Sequence, residues 1–75
     1  MKQQTYKKGK DYPYTQIETF ASENDYSFED YGRERIGENF LVLLHNDKDI
    51  TISFILSGVR SNEYIYQCIY TDLNN

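Results

Sequence analysis

The sequence has one cysteine, one proline and no tryptophan among its 75 residues. A single cysteine excludes an internal disulfide, and chains without disulfides are typical of reducing compartments. The longest apolar run, Phe40 to Leu44, is far shorter than the roughly 20 residues that a membrane-spanning helix needs. No apolar segment near the first residue resembles a signal peptide. We therefore expect a cytoplasmic protein that does not associate with membranes.

Residues that carry chemistry are also scarce. His45, Asp47 and Asp49 cluster in one polar stretch, but their spacing lacks the glycine and the final glutamate of a calcium-binding loop. His45 and Cys68 do not have the spacing of a zinc site. Nothing in the sequence places these two residues together as a base and a nucleophile. We predict no catalytic residue, no cofactor and no metal, and hence a protein that is not an enzyme.

The net charge of −4 conceals an asymmetry. Residues 1–10 carry four lysines and no acid, whereas the other 65 residues carry four Lys or Arg against twelve Asp or Glu, a net charge of −8. An acidic body lacks the attraction to phosphate that dominates binding to nucleic acid, so we expect a protein partner instead. The pattern predicts a flexible basic arm over residues 1–12 and a single small domain over residues 13–75.

A short helix is predicted after the only proline. Pro13 disfavours helix before it, and the sequence TQIE at Thr15–Glu18 has the form of a capping box. An apolar stripe at helical spacing follows, formed by Ile17, Phe20 and Ala21. Asn24 and Asp25 then provide a stop, so the helix has about nine to eleven residues.

The segment 26–36 has two interpretations. Ser27 could cap one further helical turn, or residues 31–36 could form a short edge strand. The charged residues Arg33, Glu34 and Arg35 favour the strand, because charges on an edge strand discourage pairing with other chains.

Three β-branched and aromatic runs follow, at about 39–45, 50–57 and 63–71, and each is bounded by turn residues. The connection at 45–49 is short, and the connection at 57–62 is longer. The predicted fold is therefore α+β, with one short N-terminal helix packed on an antiparallel β-meander of three to four strands.

The first of these runs is apolar on both faces. Ile50, Ile52, Phe54 and Leu56 of the second run share one face, which must be core. The opposite face holds Leu41, Leu43 and Ile55, together with either the tyrosines of the third run or Ile65 and Ile69. A ten-residue helix is about 15 Å long and covers one face of the sheet. The second face therefore needs a cover of its own.

Four covers are consistent with the sequence. They are the arm with Tyr6, Tyr12 and Tyr14, the 26–36 segment, a second copy of the chain, or a different protein. If a partner covers this face, the candidate interface is Leu41, Leu43, Ile55, Tyr64, Tyr66 and Tyr70.

Function is expected to be binding. The leading hypothesis is a protein-interaction or adaptor protein, with a homodimer as one form. The alternative is an acidic inhibitor that binds a basic protein surface or mimics nucleic acid. A third hypothesis is a single-stranded nucleic-acid binder that stacks bases on the tyrosine row. The acidic surface that the alternative requires would be formed by Glu29, Asp30, Glu34 and Glu38.

Overall fold

The computed structural model describes residues 6–31 and 40–73. The predicted α+β class, with one short helix on an antiparallel sheet, is confirmed for these residues, although the sheet has five strands. No helix in the described ranges has the length and apolar character to cross a membrane. The elements are β1 (Asp11–Pro13), α1 (Tyr14–Glu23), β2 (Ser27–Asp30), β3 (Leu41–His45), β4 (Thr51–Arg60) and β5 (Glu63–Thr71).

The strands lie in the order β1-β5-β4-β3-β2, with every neighbouring pair antiparallel. The long β4–β5 hairpin forms the centre, and the two short strands β1 and β2 form the edges. Helix α1 begins directly after β1 and leads to β2, so the chain crosses from one edge of the sheet to the other. The helix therefore lies over one face and packs against β1, β5 and β2.

The helix-covered face is the main core. Its fully buried side chains are Val42 and Leu44 of β3, Ile52 and Phe54 of β4, and Cys68 of β5. The predicted stripe of α1 packs onto this face, since all three of its apolar residues are buried. The pairing register assigns Ile52, Phe54 and Leu56 to this face, as the alternation in the sequence predicted.

The segment before β1 packs into this core. The ring of Tyr6 is 1% exposed and makes edge-to-face contacts with Tyr12, Phe20 and Phe54, with ring centroids 4.6, 5.0 and 5.2 Å apart. Backbone hydrogen bonds from Gly9 N to Cys68 O and from Cys68 N to Lys10 O, 2.8 and 3.0 Å long, continue the pairing beyond β1. Residues 6–12, assigned from the sequence to a flexible arm, are therefore part of the domain. Residues 1–5 lie outside the described ranges.

The N-terminus of α1 is capped from a distance. The predicted capping box is wrong, because no side chain of the cap residue Pro13 or its neighbours within the helix makes the capping bond. Instead the Glu63 carboxylate, at the start of β5, accepts hydrogen bonds from the Thr15 hydroxyl and from the Thr15 amide, the latter at 3.2 Å. A carboxylate at this position also interacts favourably with the positive end of the helix dipole.

The C-terminus of α1 closes as the sequence predicted. Asp25 adopts a left-handed conformation with φ 60°, and the Tyr26 amide donates to Ala21 O at 3.0 Å. This six-to-one bond is the Schellman arrangement, which satisfies a carbonyl of the last turn. The Asn24 side chain adds a second bond, from Nδ2 to Phe20 O. The chain is thereby turned toward β2.

The connection between β4 and β5 is shorter than predicted. β4 continues to Arg60, and Ser61 and Asn62 form the whole loop with φ values of 52° and 64°. Two consecutive left-handed residues are the mark of a type I′ turn, whose twist matches that of a β-hairpin. The β4–β5 hairpin extends well beyond Ile55, where the pairing of β4 with β3 stops at Leu41.

The segment 26–36 begins as a strand rather than as a helical turn. Ser27–Asp30 pairs with β3, so the interpretation with a Ser27 cap is wrong. The strand lies earlier in the chain than the predicted 31–36, and residues 32–39 are outside the described ranges. Phe28 faces the core from β2 and packs against Tyr14.

The buried hydroxyl of Tyr6 yields a stability prediction. It has no hydrogen-bond partner among the described residues, whereas the Tyr12 hydroxyl accepts from the Lys7 amide at 2.9 Å. Burying an unpaired hydroxyl costs free energy, so we expect Tyr6→Phe to raise the free energy of unfolding by about 1 kcal/mol. Tyr12→Phe should lower it by about 0.5–1 kcal/mol. Urea denaturation of both variants measures the difference. A Tyr6→Phe protein less stable than the parent would contradict the unpaired hydroxyl.

The helix cap yields a second prediction. Glu63→Ala should lower the free energy of unfolding by about 1 kcal/mol, because it removes the acceptor for the Thr15 amide and hydroxyl. Glu18→Ala is the matched control, because Glu18 would be the partner of Thr15 in the capping box. It should change stability by less than about 0.5 kcal/mol. Thermal unfolding followed by circular dichroism distinguishes the two variants. A larger loss of stability in Glu18→Ala than in Glu63→Ala would indicate that the capping box forms after all.

Candidate functional site

The sheet face opposite α1, which we call the open face, is apolar at its centre. The cross-strand pair Leu41–Ile55 lies beside the pair Leu43–Ser53, and all four side chains are half-buried. Arg60 of β4 and Glu63 of β5, at the far end of the hairpin, are the Asp, Glu, Lys or Arg residues that the three central strands place on this face, and the edge strand β1 adds Asp11 opposite Gln67. The other residues that the central strands place there are His45, Thr51, Gly58, Ile65, Gln67 and Tyr70.

The described part of the N-terminal segment, residues 6–13, does not cover the open face. Tyr6 and Tyr12 both pack on Phe54, and Tyr14 packs on Phe28 and Tyr66, so all three proposed covering tyrosines lie on the helix side. The expectation that the arm folds over the second face is therefore wrong. β2 extends the open face at one edge through Glu29, which pairs with Leu43.

The β4–β5 pair has two register shifts, and the first of them, at Ile69, divides the tyrosine row of β5. Tyr66 pairs with Leu56 on the helix side and is only 3% exposed, so it is not available to a partner. The register shifts between Ser53 and Phe54, which leaves Ile69 unpaired and places Tyr70 opposite Ser53 on the open face. Tyr64 lies near the tip of the hairpin, opposite Val59, and is 56% exposed.

The fold brings four of the six residues of the candidate interface onto one face. Leu41, Leu43, Ile55 and Tyr70 share the open face, whereas Tyr66 and Tyr64 do not belong to it. The sequence left open whether the isoleucines or the tyrosines of β5 join this face. The register places one of each there: Ile65 by alternation with Gln67, and Tyr70 because of the bulge at Ile69. A glycine within a strand is a known signal of a bulge, and Gly58 stands at the second one.

Ile65 lies on the open face, where no helix covers it, and is nevertheless buried. It is 7% exposed, yet it does not belong to the core cluster under α1. Its partners in register are Pro13 of β1 and Gly58 of β4. The open face therefore contains a small buried centre of its own, with the half-buried side chains around it.

The predicted acidic surface does not form one patch in the described residues. Glu29 and Asp30 are consecutive on β2 and so point to opposite faces of the sheet. Glu29 accepts from the Tyr31 hydroxyl at 2.6 Å, and Asp30 accepts from the Tyr14 hydroxyl at 2.7 Å. Glu34 and Glu38 lie outside the described ranges.

A groove runs between α1 and β2 on the helix side. Its volume is about 400 Å³. The ring of Tyr14 forms one wall and packs against Phe28 at 5.7 Å. Burial raises the pKa of the Tyr14 hydroxyl, and so do its hydrogen bond to Asp30 and the negative charges of Asp30 and Glu18. Two carboxylates therefore place negative charge near one phenol that lines the groove.

The residues considered for chemistry are separated. His45 pairs with Thr51 and lies on the open face, whereas Cys68 pairs with Phe54 and is fully buried on the helix side. The two side chains cannot act as a base and a nucleophile across the sheet. Burial raises the pKa of the Cys68 thiol, which keeps it in its less nucleophilic protonated form.

The polar turn after β3 is organised by Asn46. Its Oδ1 accepts hydrogen bonds from the amides of Lys48 and Ile50, both 3.0 Å long. Asp49 adopts a left-handed φ of 65° and lies 3.6 Å from His45 Nε2. No group of three metal-binding side chains occurs within residues 6–31 and 40–73. These side chains fold the turn in the manner expected of Asn and Asp.

Comparison with known proteins found no matching family model and no significant similarity to a curated protein or to a solved structure. Hypotheses on function therefore rest on the geometry of this chain.

The contact between Tyr14 and Asp30 gives a prediction on pH. Because the fold raises the pKa of Tyr14, its contribution to stability is complete below the ordinary tyrosine pKa of about 10 and is lost as the pH rises above it. Asp30→Asn removes the charge and should shift the pKa of Tyr14 down toward the ordinary value. The Tyr14 Cζ chemical shift, followed through an alkaline titration, measures this shift.

Glu29→Gln is the control for this titration. It makes the same change on the neighbouring residue, but its carboxylate bonds Tyr31, so the pKa of Tyr14 should not move. An unchanged pKa in Asp30→Asn would contradict the electrostatic role assigned to Asp30.

Proposed function

We propose that this protein acts by binding another polypeptide on its open face, and that the partner is a second copy of the chain. The observation that supports this most directly is the apolar centre formed by Leu41, Leu43 and Ile55, which neither α1 nor the N-terminal segment covers. A contiguous apolar face on a small domain is typical of an interaction surface.

The distribution of charge supports self-association. Two chains of net charge −4 repel each other over most of their surfaces. The central part of the open face is uncharged, so two copies can approach there without placing like charges in contact. Depletion of charge at the centre of a contact region is also a feature that distinguishes interfaces from other protein surface.

The size of the chain gives a further physical reason. A domain of this length buries only about 60% of the surface that its unfolded chain exposes, so its stability is limited. Pairing two open faces would add buried apolar area at about 25 cal/mol per Å² and form a second core around Ile65. A β-sandwich made of two such sheets is a common solution for sheets that are apolar on both faces.

The other hypotheses receive less support. A single-stranded nucleic-acid binder needs a row of exposed aromatic side chains, whereas Tyr66 is buried and the bulge at Ile69 places Tyr70 on the opposite face from Tyr64. An acidic inhibitor needs carboxylates on one surface, and Glu29 and Asp30 point to opposite faces. A reducing, cytoplasmic location agrees with the single buried thiol of Cys68 and is part of the proposal.

A charge placed at the centre of the open face tests the proposal. Ser53→Asp inserts a carboxylate next to Leu43 without removing any apolar side chain, and it should abolish a dimer because two such charges would face each other across the interface. We expect the parent protein to dimerise with concentration in sedimentation equilibrium. The variant should sediment as a monomer of 8.9 kDa.

Ser57→Asp is the matched control, since it makes the same change on an exposed position of the same strand, at the second bulge. It should dimerise like the parent. Circular dichroism checks that both variants are folded. A parent protein that remains monomeric up to about 1 mM would contradict the self-association. At that concentration, the measurement misses only dimers with a binding free energy weaker than about 4 kcal/mol.

A further inference from the structure

The groove between α1 and β2 lies away from the open face and has a different chemical character. Its lining combines apolar and aromatic side chains with two carboxylates. Tyr14, Glu18, Ala21 and Ser22 come from one stripe of the helix, so the groove follows the helix axis. The residues that line it are Tyr14, Glu18, Ala21, Ser22, Tyr26, Phe28 and Asp30.

Three aromatic rings form the walls. Tyr14 is held by Phe28 at 5.7 Å and by Tyr66 at 5.8 Å, and Tyr26 is held by Phe20 at 5.3 Å. Each ring is half-buried, so part of each surface faces the groove. These contacts fix the rings before any ligand arrives, which lowers the entropic cost of binding.

Two carboxylates stand over these rings. Asp30 accepts from the Tyr14 hydroxyl at 2.7 Å, and the Glu18 carboxylate is close enough to act electrostatically on the same hydroxyl. No basic residue is among the described side chains that line the groove. A cavity with aromatic walls and acidic groups at its mouth is complementary to an organic cation.

We propose that this groove binds the guanidinium side chain of an arginine on a basic partner protein. Arginine fits better than lysine for two reasons. Its planar guanidinium stacks on aromatic rings, and its forked N–H donors can bond both oxygens of the Glu18 carboxylate. A partner with a basic surface is also attracted by the net charge of −8 on residues 11–75.

This site goes beyond the proposed self-association. The groove lies on the helix side of the sheet, and the open face lies on the other, so the two sites use different residues. Either can be removed without changing the other.

The experiment uses two peptides that differ only in charge. Acetyl-Gly-Arg-Gly-amide is titrated into ¹⁵N-labelled protein, and the same peptide with citrulline, a neutral isostere of arginine, is titrated in parallel. We expect chemical-shift changes at the residues lining the groove, with arginine binding at least about tenfold more tightly than citrulline. Raising the salt concentration should weaken the binding of arginine only.

Variants on α1 localise the effect. Glu18→Gln should weaken arginine binding about threefold, the range for an exposed charge pair. Glu23→Gln is the matched control, because Glu23 is an exposed acid of the same helix that does not line the groove. It should bind like the parent, and so should Ser53→Asp, which tests the open face alone.

Three results would overturn the proposal. One is equal binding of the arginine and citrulline peptides. Another is a set of shift changes that lies outside the groove. The third is the same loss of affinity in Glu23→Gln as in Glu18→Gln, since this would indicate attraction to the general negative charge of the helix.

Discussion

The packing of aromatic rings around Phe54 is the interaction on which the rest of the structure depends. Phe54 lies at the centre of the sheet and is fully buried, and its ring is met edge-on by Tyr6 at 5.2 Å. Tyr6 in turn meets Phe20 of α1 at 5.0 Å. One cluster therefore joins the N-terminal segment, the helix and the central strand. Edge-to-face pairs add about 0.5–1.5 kcal/mol each beyond the area they bury, which matters in a domain of this size.

Because the helix and the N-terminal segment both contribute their rings to one side of the sheet, neither of them covers the other side. The described part of the chain provides one helix and one short N-terminal segment, and both pack against the face of Val42, Phe54 and Cys68. The apolar residues of the open face have no such layer within that part of the chain. The doubly apolar character of β3 is thus divided between two surfaces. Val42 and Leu44 belong to the core, and Leu41 and Leu43 form the surface through which we propose that two copies associate.

Local patterns in the sequence predicted the parts of the fold that depend on neighbouring residues. The helix ends after Glu23, because the left-handed Asp25 turns the chain and the amides of Asn24 and Tyr26 donate to the carbonyls of Phe20 and Ala21. The alternation in β4 likewise assigns Phe54 to the core without any knowledge of the other strands. Such features need only a short stretch of chain.

Contacts between distant residues could not be predicted in this way. Glu63 caps a helix 48 positions earlier in the chain, and the capping box at Thr15 offered a complete local alternative. The burial of Tyr6 depends on a cavity between α1 and β4 that exists only after both have packed. The bulge at Ile69 changes the face of Tyr70, and no residue type near Ile69 signals it. For the same reason the residues named from the sequence in β3 and β4 share one face, whereas those named in β5 are divided between two.

The two proposed sites are related through the geometry of the sheet. Pairing through the open face places the two helices on the outside of the dimer, so both grooves face away from the interface. A partner that presents two arginines at a suitable distance can then bind both grooves, and the second contact forms at the effective concentration set by the first. Single weak contacts at the Glu18 of each chain combine into a stronger interaction in this arrangement. Self-association would in that case be the means by which a small acidic domain, with one modest groove per chain, holds a basic protein.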